Sequence, residues 1–170
     1  MPGKYVFKRA GRGDLGRFFI FFKKSIEEQF PEYSLRTRRF FIKREYSPRV
    51  LSGQLKTKEL IIYLAVSGKE MAGYLITRPI AGGVCLGVWL GVSEKHQRKG
   101  ISTKLLALWE KETKKQGFHK LHIWADERNL RFYKNRGFKL AGKVPDNYYG
   151  HDDYFFHKTI QRPLEKNFSK

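Results

Sequence analysis

Cysteine and long apolar runs are nearly absent from this chain of 170 residues. Its single cysteine, Cys85, has no partner for an internal disulfide, which favours a reducing compartment. The densest apolar run near the N-terminus, residues 18–22, is much shorter than a membrane-spanning helix or the apolar part of a signal peptide. We therefore expect a cytoplasmic protein that has no membrane segment.

Acidic residues are also scarce, at 16 against 35 lysines and arginines, which gives a net charge of +19. Such a charge favours polyanionic partners such as RNA, or acidic substrates. The basic residues run through the whole chain and form no single block, so an ordinary solvated surface explains them equally well. Charge alone thus predicts non-specific affinity for RNA or another acidic partner and no particular activity.

Apolar residues make up 41% of the chain and aromatic residues 15%, which is typical of one packed globular domain. We expect that domain over residues 1–160, divided into a first strand with helices (1–58) and a core (59–160). A loose C-terminal tail is expected over residues 161–170.

The spacing of apolar residues separates helical from extended segments. Strands are predicted at 4–9, 59–66, 70–78, 83–92, 120–125, 138–144 and 154–160, and a polar loop at 145–153. Helices are predicted at 14–30 with Asp14 as N-cap, at 35–56 with an interruption near Pro48, at 102–116 and at 129–135. Helices and strands alternate only in the middle of the chain, which predicts an α/β fold with a mixed, mostly antiparallel sheet flanked by helices.

The stretch "HQRKGIST", residues 96–103, lies between a predicted strand and a predicted helix. The first N–H groups of a helix lack intrahelical acceptors and carry partial positive charge, so they suit phosphate oxygens. Gly100 would let those oxygens approach the backbone closely. The stretch is neither a Walker A loop nor a dinucleotide-binding glycine fingerprint, and a solvated turn is the alternative interpretation.

Two short segments indicate what this stretch belongs to. One is "QRKGIS" (97–102), within the stretch itself, and the other is "FYKNRGF" (132–138), which follows a further predicted strand. Their order and spacing resemble the GNAT superfamily of acetyl-CoA-dependent N-acetyltransferases, over about residues 59–160. The resemblance implies one N-acetyltransferase domain, with splayed central strands and with the acceptor side formed by residues 1–58. It implies acetyl-CoA as co-substrate.

The resemblance also implies where acetyl-CoA binds. The pantetheine amides would meet the strand backbone at Leu90, Gly91 and Val92. The pyrophosphate would meet the N–H groups of residues 98–103, with Lys99 and Lys104 as flanking charges. One further contact is expected from Asn129, with Asp126 as the alternative because the linker is shorter than usual. The predicted cofactor-binding residues are Leu90, Gly91, Val92, Gln97, Arg98, Lys99, Gly100, Ile101, Ser102, Thr103 and Asn129.

The reaction needs a base or a water path for the amine and a proton donor for the leaving thiolate. By similarity Tyr133 is the acid, the alternative being aromatic packing. Strand alternation places His122 and Trp124 on the face opposite Leu121 and Ile123. His122 lies in "LHI", similar to the L-H-V triplet of N-terminal protein acetyltransferases, where the histidine is a base through water; a structural strand histidine is the alternative.

The acceptor is expected to meet Tyr148 and Tyr149, because residues 147–158 resemble the closing tyrosine-pair loop of N-terminal acetyltransferases. Ordinary loop anchoring is the alternative role for this pair. The histone-type branch has a glutamate base at the strand position occupied here by Leu86, so that mechanism is not expected. Glu94 and His96 are expected to face solvent.

No metal site is predicted, because residues 151–153 ("HDD") are three adjacent loop residues without a distant fourth ligand. The preferred function is acetyl transfer from acetyl-CoA to a protein or peptide amine, with an N-terminal α-amino group favoured. A small-molecule amine, a lysine side chain, or a basic RNA- or ribosome-associated module without turnover are the alternatives. The protein is expected to be a monomer or a homodimer.

Overall fold

The structure is a computed structural model that describes residues 5–168. The predicted strand residue Lys4 and the tail residues 169–170 lie outside the described residues. The strands are β1 Tyr5–Arg9, β2 Ile61–Ser67, β3 Glu70–Ile80, β4 Val84–Val92, β5 Lys120–Ala125, β6 Lys139–Tyr148 and β7 His151–Thr159. The helices are α1 Leu15–Gln29, α2 Leu35–Phe40, α3 Pro48–Lys56, α4 Ile101–Lys115 and α5 Leu130–Lys134.

The strands form one seven-stranded sheet in the order β1-β2-β3-β4-β5-β7-β6. Pairing is antiparallel for β1 with β2, for β5 with β7 and for β6 with β7. Strands β4 and β5 run parallel, and their ladder joins Val84–Gly87 to Lys120–Ile123. The predicted α/β fold with a mixed, mostly antiparallel sheet is confirmed. No helix among residues 5–168 is long and apolar enough to cross a membrane.

Two compact units make up the chain. Unit 1 contains the residues up to Ile76 together with Trp89–Leu108, and unit 2 contains Thr77–Val88 together with the residues from Trp109 onward.

Unit 1 has an aromatic core built on α1. The i, i+4, i+8 spacing of Phe18, Phe22 and Ile26 places all three on one helix face, and all three are fully buried. The Phe22 ring makes edge contacts with Tyr74 and Trp89, at centroid distances of 5.5 and 6.4 Å. Burying one such side chain stabilises the fold by roughly 1.5–3 kcal/mol, so this stripe fixes α1 on the sheet.

Asp14 occupies the N-cap position of α1, as predicted, but its side chain does not cap the helix. Its side chain makes no capping hydrogen bond with the helix and accepts instead from Lys8 Nζ at 2.8 Å and from the Gly11 N–H at 2.9 Å. The hydrogen bond from Lys8, followed by that from Gly11, lowers the pKa of this carboxyl group. The predicted N-cap position is therefore confirmed, and the side-chain cap is absent because a nearby cation and the N–H of an upstream turn bind the same oxygens.

The predicted helical region 35–56 forms two helices, α2 and α3, joined through a π-helical turn, Phe41–Glu45. Pro48 is the first residue of α3, where its fixed φ suits a helix start and its missing N–H costs nothing. The predicted interruption near Pro48 is confirmed.

In unit 2, strand β5 lies between β4 and β7. Leu121, Ile123 and Ala125 are buried, whereas Trp124 is 40% exposed, so the predicted alternation is confirmed. Trp109 of α4 stacks on Phe138 at 6.5 Å, and its indole N–H donates to Cys85 Sγ at 3.3 Å.

The polar segment 145–153 is not the loop that was predicted. Strand β6 runs on to Tyr148 and β7 begins at His151, so only a two-residue turn separates them. The pairing shifts register between Val144 and Tyr148. The hairpin tolerates Pro145 because β6 is the outermost strand, where the missing N–H breaks no inner ladder.

The described part of the tail, residues 161–168, contacts the end of α4. Gln161 Nε2 donates to the Phe118 carbonyl at 2.6 Å and Asn167 Nδ2 to the Gly117 carbonyl at 3.3 Å. The Phe168 ring lies 5.4 Å from that of His119.

Candidate functional site

The turn that joins β4 to α4 has the backbone of an anion-binding site. Arg98 has φ +59° and Gly100 has φ +74°, both in the left-handed region, and α4 begins immediately afterwards at Ile101. The first backbone hydrogen bond of the helix runs from the Lys104 N–H to the Gly100 carbonyl at 3.1 Å. The N–H groups that precede it belong to the first turn, which has no carbonyl acceptors within the helix. This backbone fits a phosphate group.

The side chains of the turn mostly contact protein groups. Gln97 Nε2 donates to the Val92 carbonyl at 3.2 Å, Lys99 Nζ donates to the Lys95 carbonyl at 2.8 Å, and Lys104 Nζ lies 5.6 Å from the Phe7 ring centre. The Ile101 side chain is only 2% exposed. Anion binding here would therefore depend on backbone N–H groups, with the exposed Arg98 as a flanking side-chain charge.

The end of β4 is shaped by Gly91. A Cβ added there would lie 2.5 Å from Tyr74 Cε1 and 2.8 Å from Ser25 Oγ, so only glycine fits beneath that ring. The Ser93 N–H donates to the Ala72 carbonyl at 3.0 Å, so the odd-numbered backbone groups point towards β3.

The backbone groups of Leu90 and Val92 consequently point to the edge of β4 that faces away from β3. The Val92 carbonyl accepts from Gln29 Nε2 at 3.0 Å and from Gln97 Nε2 at 3.2 Å. Among the three predicted pantetheine contacts, the Leu90 backbone and the Val92 N–H are therefore best placed for a ligand amide.

His96 was expected to face solvent and does not, because it is only 9% exposed. A hydrogen bond of 2.9 Å joins His96 Nδ1 to the Tyr5 hydroxyl, and Glu70 Oε2 lies 3.4 Å from His96 Nε2. Glu70 also forms an ion pair with Lys95. The hydrogen bond from Lys95 is the main cause that lowers the pKa of Glu70. Nothing in the local sequence pattern marks this histidine.

In unit 2, His122 lies between two strands. Its register partners are Leu86 on β4 and His157 on β7, and its ring makes an edge contact with Phe155 at 4.8 Å. Partial burial, followed by the positive charges of Lys120, His157 and His119, lowers the pKa of His122. A lowered pKa keeps the imidazole neutral near pH 7, as a proton acceptor must be.

Tyr133 lies on α5 and is only 8% exposed. Its ring contacts Phe132 at 5.0 Å, Phe156 at 5.7 Å and Phe138 at 5.8 Å. Burial, with a smaller contribution from Asp126, raises its pKa well above the usual tyrosine value. The phenol therefore keeps its proton at neutral pH and can act as a donor.

The two candidates for the remaining pantetheine contact are bonded to each other. Asn129 Nδ2 donates to Asp126 Oδ1 at 3.1 Å, and Arg128 donates to the other carboxylate oxygen at 2.9 Å. Asp126 precedes the 3₁₀ turn Glu127–Asn129 and Asn129 is its last residue, directly before α5.

The predicted acceptor residues, Tyr148 and Tyr149, meet at the tip of the β6–β7 hairpin. Their rings lie 4.7 Å apart at 88°. Tyr149 has φ +53° and is 46% exposed. Its side chain therefore stands where an incoming chain can reach it.

The carboxylates near this tip contact other side chains or backbone. Asp152 accepts from Lys143 at 2.6 Å and from the Asp146 N–H at 3.1 Å, and Asp153 accepts from Asn147 at 2.8 Å. Among residues 5–168 no group of three or more histidine, cysteine, aspartate or glutamate side chains is arranged to hold a metal ion.

Comparison with known proteins identifies the family. A model described as the acetyltransferase (GNAT) family matches residues 22–138, and no curated protein matches the chain. The fold resembles PaiA N-acetyltransferase from Thermoplasma acidophilum, solved in complex with coenzyme A, at 20% identity and TM-score 0.76, covering 92% of this chain and 99% of that one.

Two further solved structures have similar folds. Ribosomal-protein-S18-alanine N-acetyltransferase from Escherichia coli matches at 17% identity and TM-score 0.69, covering 95% of this chain and 97% of that one. Aminoglycoside 6'-acetyltransferase type Ii matches at 20% identity and TM-score 0.70, covering 94% and 99%. Since the family model spans well over half of the sequence and includes the turn after β4 and helix α5, the chain belongs to the GNAT family of acetyl-CoA-dependent N-acetyltransferases.

Proposed function

We propose that this acetyltransferase modifies the N-terminal α-amino group of a protein or peptide, with His122 as the base and Tyr133 as the acid. The observation that carries the proposal is the position of His122. It is the direct parallel partner of Leu86, at which the histone-type branch has its glutamate base. Paired residues of neighbouring strands point to the same face, so His122 can take over that role from the adjacent strand.

The donor side of the proposal uses the turn after β4. The left-handed residues Arg98 and Gly100 and the first turn of α4 fit the pyrophosphate, and the Leu90 backbone and Val92 N–H fit the pantetheine amides. Asn129 is the proposed contact from the turn before α5, held in place by its bond to Asp126. When bound, acetyl-CoA supplies the thioester carbonyl that the amine attacks.

His122 removes the amine proton, directly or through one water. Partial burial, followed by the positive charge of Lys120, lowers its pKa, so it is neutral at the pH where a free α-amino group is also partly neutral. As the new C–N bond forms and the C–S bond breaks, one proton leaves nitrogen and one proton is needed at sulfur.

Tyr133 supplies the proton to sulfur. Because burial raises its pKa, it remains protonated until the leaving thiolate provides a strong acceptor. The aromatic contacts with Phe138 and Phe156 hold the ring in one orientation.

The choice of an N-terminal amine is supported by "LHI" around His122 and by the tyrosine pair at the hairpin tip. One similar structure is named for an alanine of a ribosomal protein and another for an aminoglycoside. The exposed Tyr149 ring and the neighbouring Tyr148 ring, which stand at 88° to each other, offer an apolar surface for the first residues of a peptide.

The experiment compares acceptors under single-turnover conditions with acetyl-CoA. The panel holds lysine-free peptides with a free N-terminus, the same peptides with a blocked N-terminus and one internal lysine, a polyamine and an aminoglycoside. We expect acetylation only of the free N-termini, with mass spectrometry placing the acetyl group on the first residue. Preferential acetylation of the polyamine, the aminoglycoside or the lysine side chain would replace the proposed acceptor while keeping the enzyme class.

A further inference from the structure

The segment between β4 and α4 crosses unit 1 and is held at successive points. The Ser93 N–H is bonded to the Ala72 carbonyl on β3 at 3.0 Å. Further along, Lys95 and His96 both contact Glu70 at the start of β3. His96 also bonds to Tyr5 on β1, two residues before the left-handed Arg98.

His96 is the anchor with the most contacts. Its two ring nitrogens face different strands, with Nδ1 bonded to the Tyr5 hydroxyl at 2.9 Å and Nε2 lying 3.4 Å from Glu70 Oε2. The Tyr5 ring also makes an edge contact with the imidazole at a centroid distance of 5.6 Å. The imidazole is only 9% exposed, whereas the Glu70 side chain is 45% exposed, so the hydrogen bond to Tyr5 is the contact that mainly fixes the ring orientation.

The position of the left-handed turn, residues 98–102, depends on that of His96. Only Gln97 separates His96 from Arg98, the first left-handed residue, and Gly100 follows two residues later. At the far end, Lys104 lies over the ring of Phe7, which is also on β1. The turn of residues 98–102 is therefore short, and the buried His96 anchors the chain just before it.

We propose that His96 is a positioning residue for acetyl-CoA: held by Tyr5 and Glu70, it sets the backbone of residues 98–102 for the pyrophosphate. This inference rests on the proposed role of that turn in binding acetyl-CoA. His96 itself touches neither the reacting atoms nor the phosphates. Its effect is confined to the part of the donor that carries the diphosphate.

The test compares two acetyl donors, acetyl-CoA and S-acetylpantetheine, which lacks the pyrophosphate and the nucleotide. The variants are His96→Ala, Tyr5→Phe and Glu70→Gln, with Glu94→Gln as a control because Glu94 is an exposed residue of the same 3₁₀ turn. Affinity for free CoA is measured alongside by calorimetry, which needs no acceptor.

We expect the KM for acetyl-CoA and the Kd for CoA to rise about tenfold in His96→Ala and about threefold in Tyr5→Phe. The kcat at saturating acetyl-CoA and the kcat/KM for S-acetylpantetheine should each change by less than about twofold. Glu94→Gln should behave as the wild type. His96→Asn, which can keep one hydrogen bond to Tyr5, should recover part of the loss.

An equal loss with both donors, or unchanged CoA affinity in His96→Ala and Tyr5→Phe, would overturn the proposal. If His96→Ala does not fold, Tyr5→Phe decides, because it removes the hydroxyl that bonds His96 and keeps the shape of the side chain, and Glu70→Gln shows whether the negative charge beside His96 adds to the effect. If the wild-type protein binds CoA but acetylates no N-terminus, the proposed acceptor is refuted. The role of His96 is then decided by the Kd for CoA of the variants, measured by calorimetry.

Discussion

Tyr133 and His122 lie on opposite faces of strand β5. The Tyr133 ring packs on Phe156, the register partner of Ile123, whereas the His122 side chain shares the other face with Phe155 and the exposed Trp124. The two groups are therefore separated by the strand itself: Tyr133, the proposed acid, is buried among aromatic rings, whereas His122, the proposed base, is only partly buried. This arrangement suits an acid that must keep its proton and a base that must exchange one.

Replacing Tyr133 by phenylalanine should lower kcat about 100-fold, because the thiolate then leaves without a positioned acid. The phenyl ring keeps its contacts with Phe138 and Phe156, so the melting temperature should stay close to that of the wild type. Steady-state kinetics and thermal melting measure both quantities. Tyr154→Phe, which removes a hydroxyl from β7, is the matched control. Wild-type kcat in Tyr133→Phe would show that solvent protonates the thiolate.

His122 should set the acid limb of the kcat–pH profile. Its pKa is lowered, so the neutral base is present above a midpoint that lies below the ordinary histidine value of about 6.5, and activity falls as the pH drops through that midpoint. His122→Ala should lower kcat about 100-fold and flatten this limb.

Lys120→Gln should move the same limb to higher pH, because Lys120 is the largest charge contribution that lowers the pKa of His122. The kcat–pH profile is measured between about pH 5 and pH 9, a range that includes the titration of histidine. A limb that persists in His122→Ala would assign the titration to the acceptor amine or to another group.

Gly91→Ala should destabilise the protein by about 1–3 kcal/mol, because the added methyl group would overlap the Tyr74 ring and Ser25. Gly142→Ala on the outer strand β6 is the control, since a Cβ there meets no atom within 4 Å. Urea unfolding of both variants measures the free energy of unfolding. Equal stability of the two would mean that the end of β4 can shift away from Tyr74.

Tyr149→Ala should raise the KM for an N-terminal peptide several-fold and leave the KM for acetyl-CoA unchanged, because the exposed ring is proposed to contact only the acceptor. Val144→Ala, another exposed residue of the hairpin at 38% exposure, is the control. If Tyr149→Ala changed neither constant, the tyrosine pair would be part of the hairpin's own packing.

The sequence predicted the elements that depend on residues close together in the chain. The turn around Gly100, the alternation along β5 and the helix that carries Tyr133 all follow from short spacings, and the structure has the corresponding elements at those places. The family followed from their order along the chain, and the family model confirms it.

The contacts of His96 could not be predicted, because its hydrogen-bond partner Tyr5 is 91 positions away in the chain. No local pattern distinguishes a histidine in a polar turn that faces water from one that two strands enclose. The extent of β6 was missed for a related reason. Pro145 and its polar neighbours look like a loop, and only the position of β6 at the sheet edge makes them acceptable in a strand.

The most direct test of the proposed mechanism is an experimental structure with CoA bound. We predict that the sulfur lies within hydrogen-bond distance of the Tyr133 hydroxyl, and that the diphosphate accepts from the N–H groups of residues 98–102. A water that bridges His122 to the acceptor position is expected in the same structure. A sulfur remote from Tyr133, or a diphosphate bound away from this turn, would contradict the account.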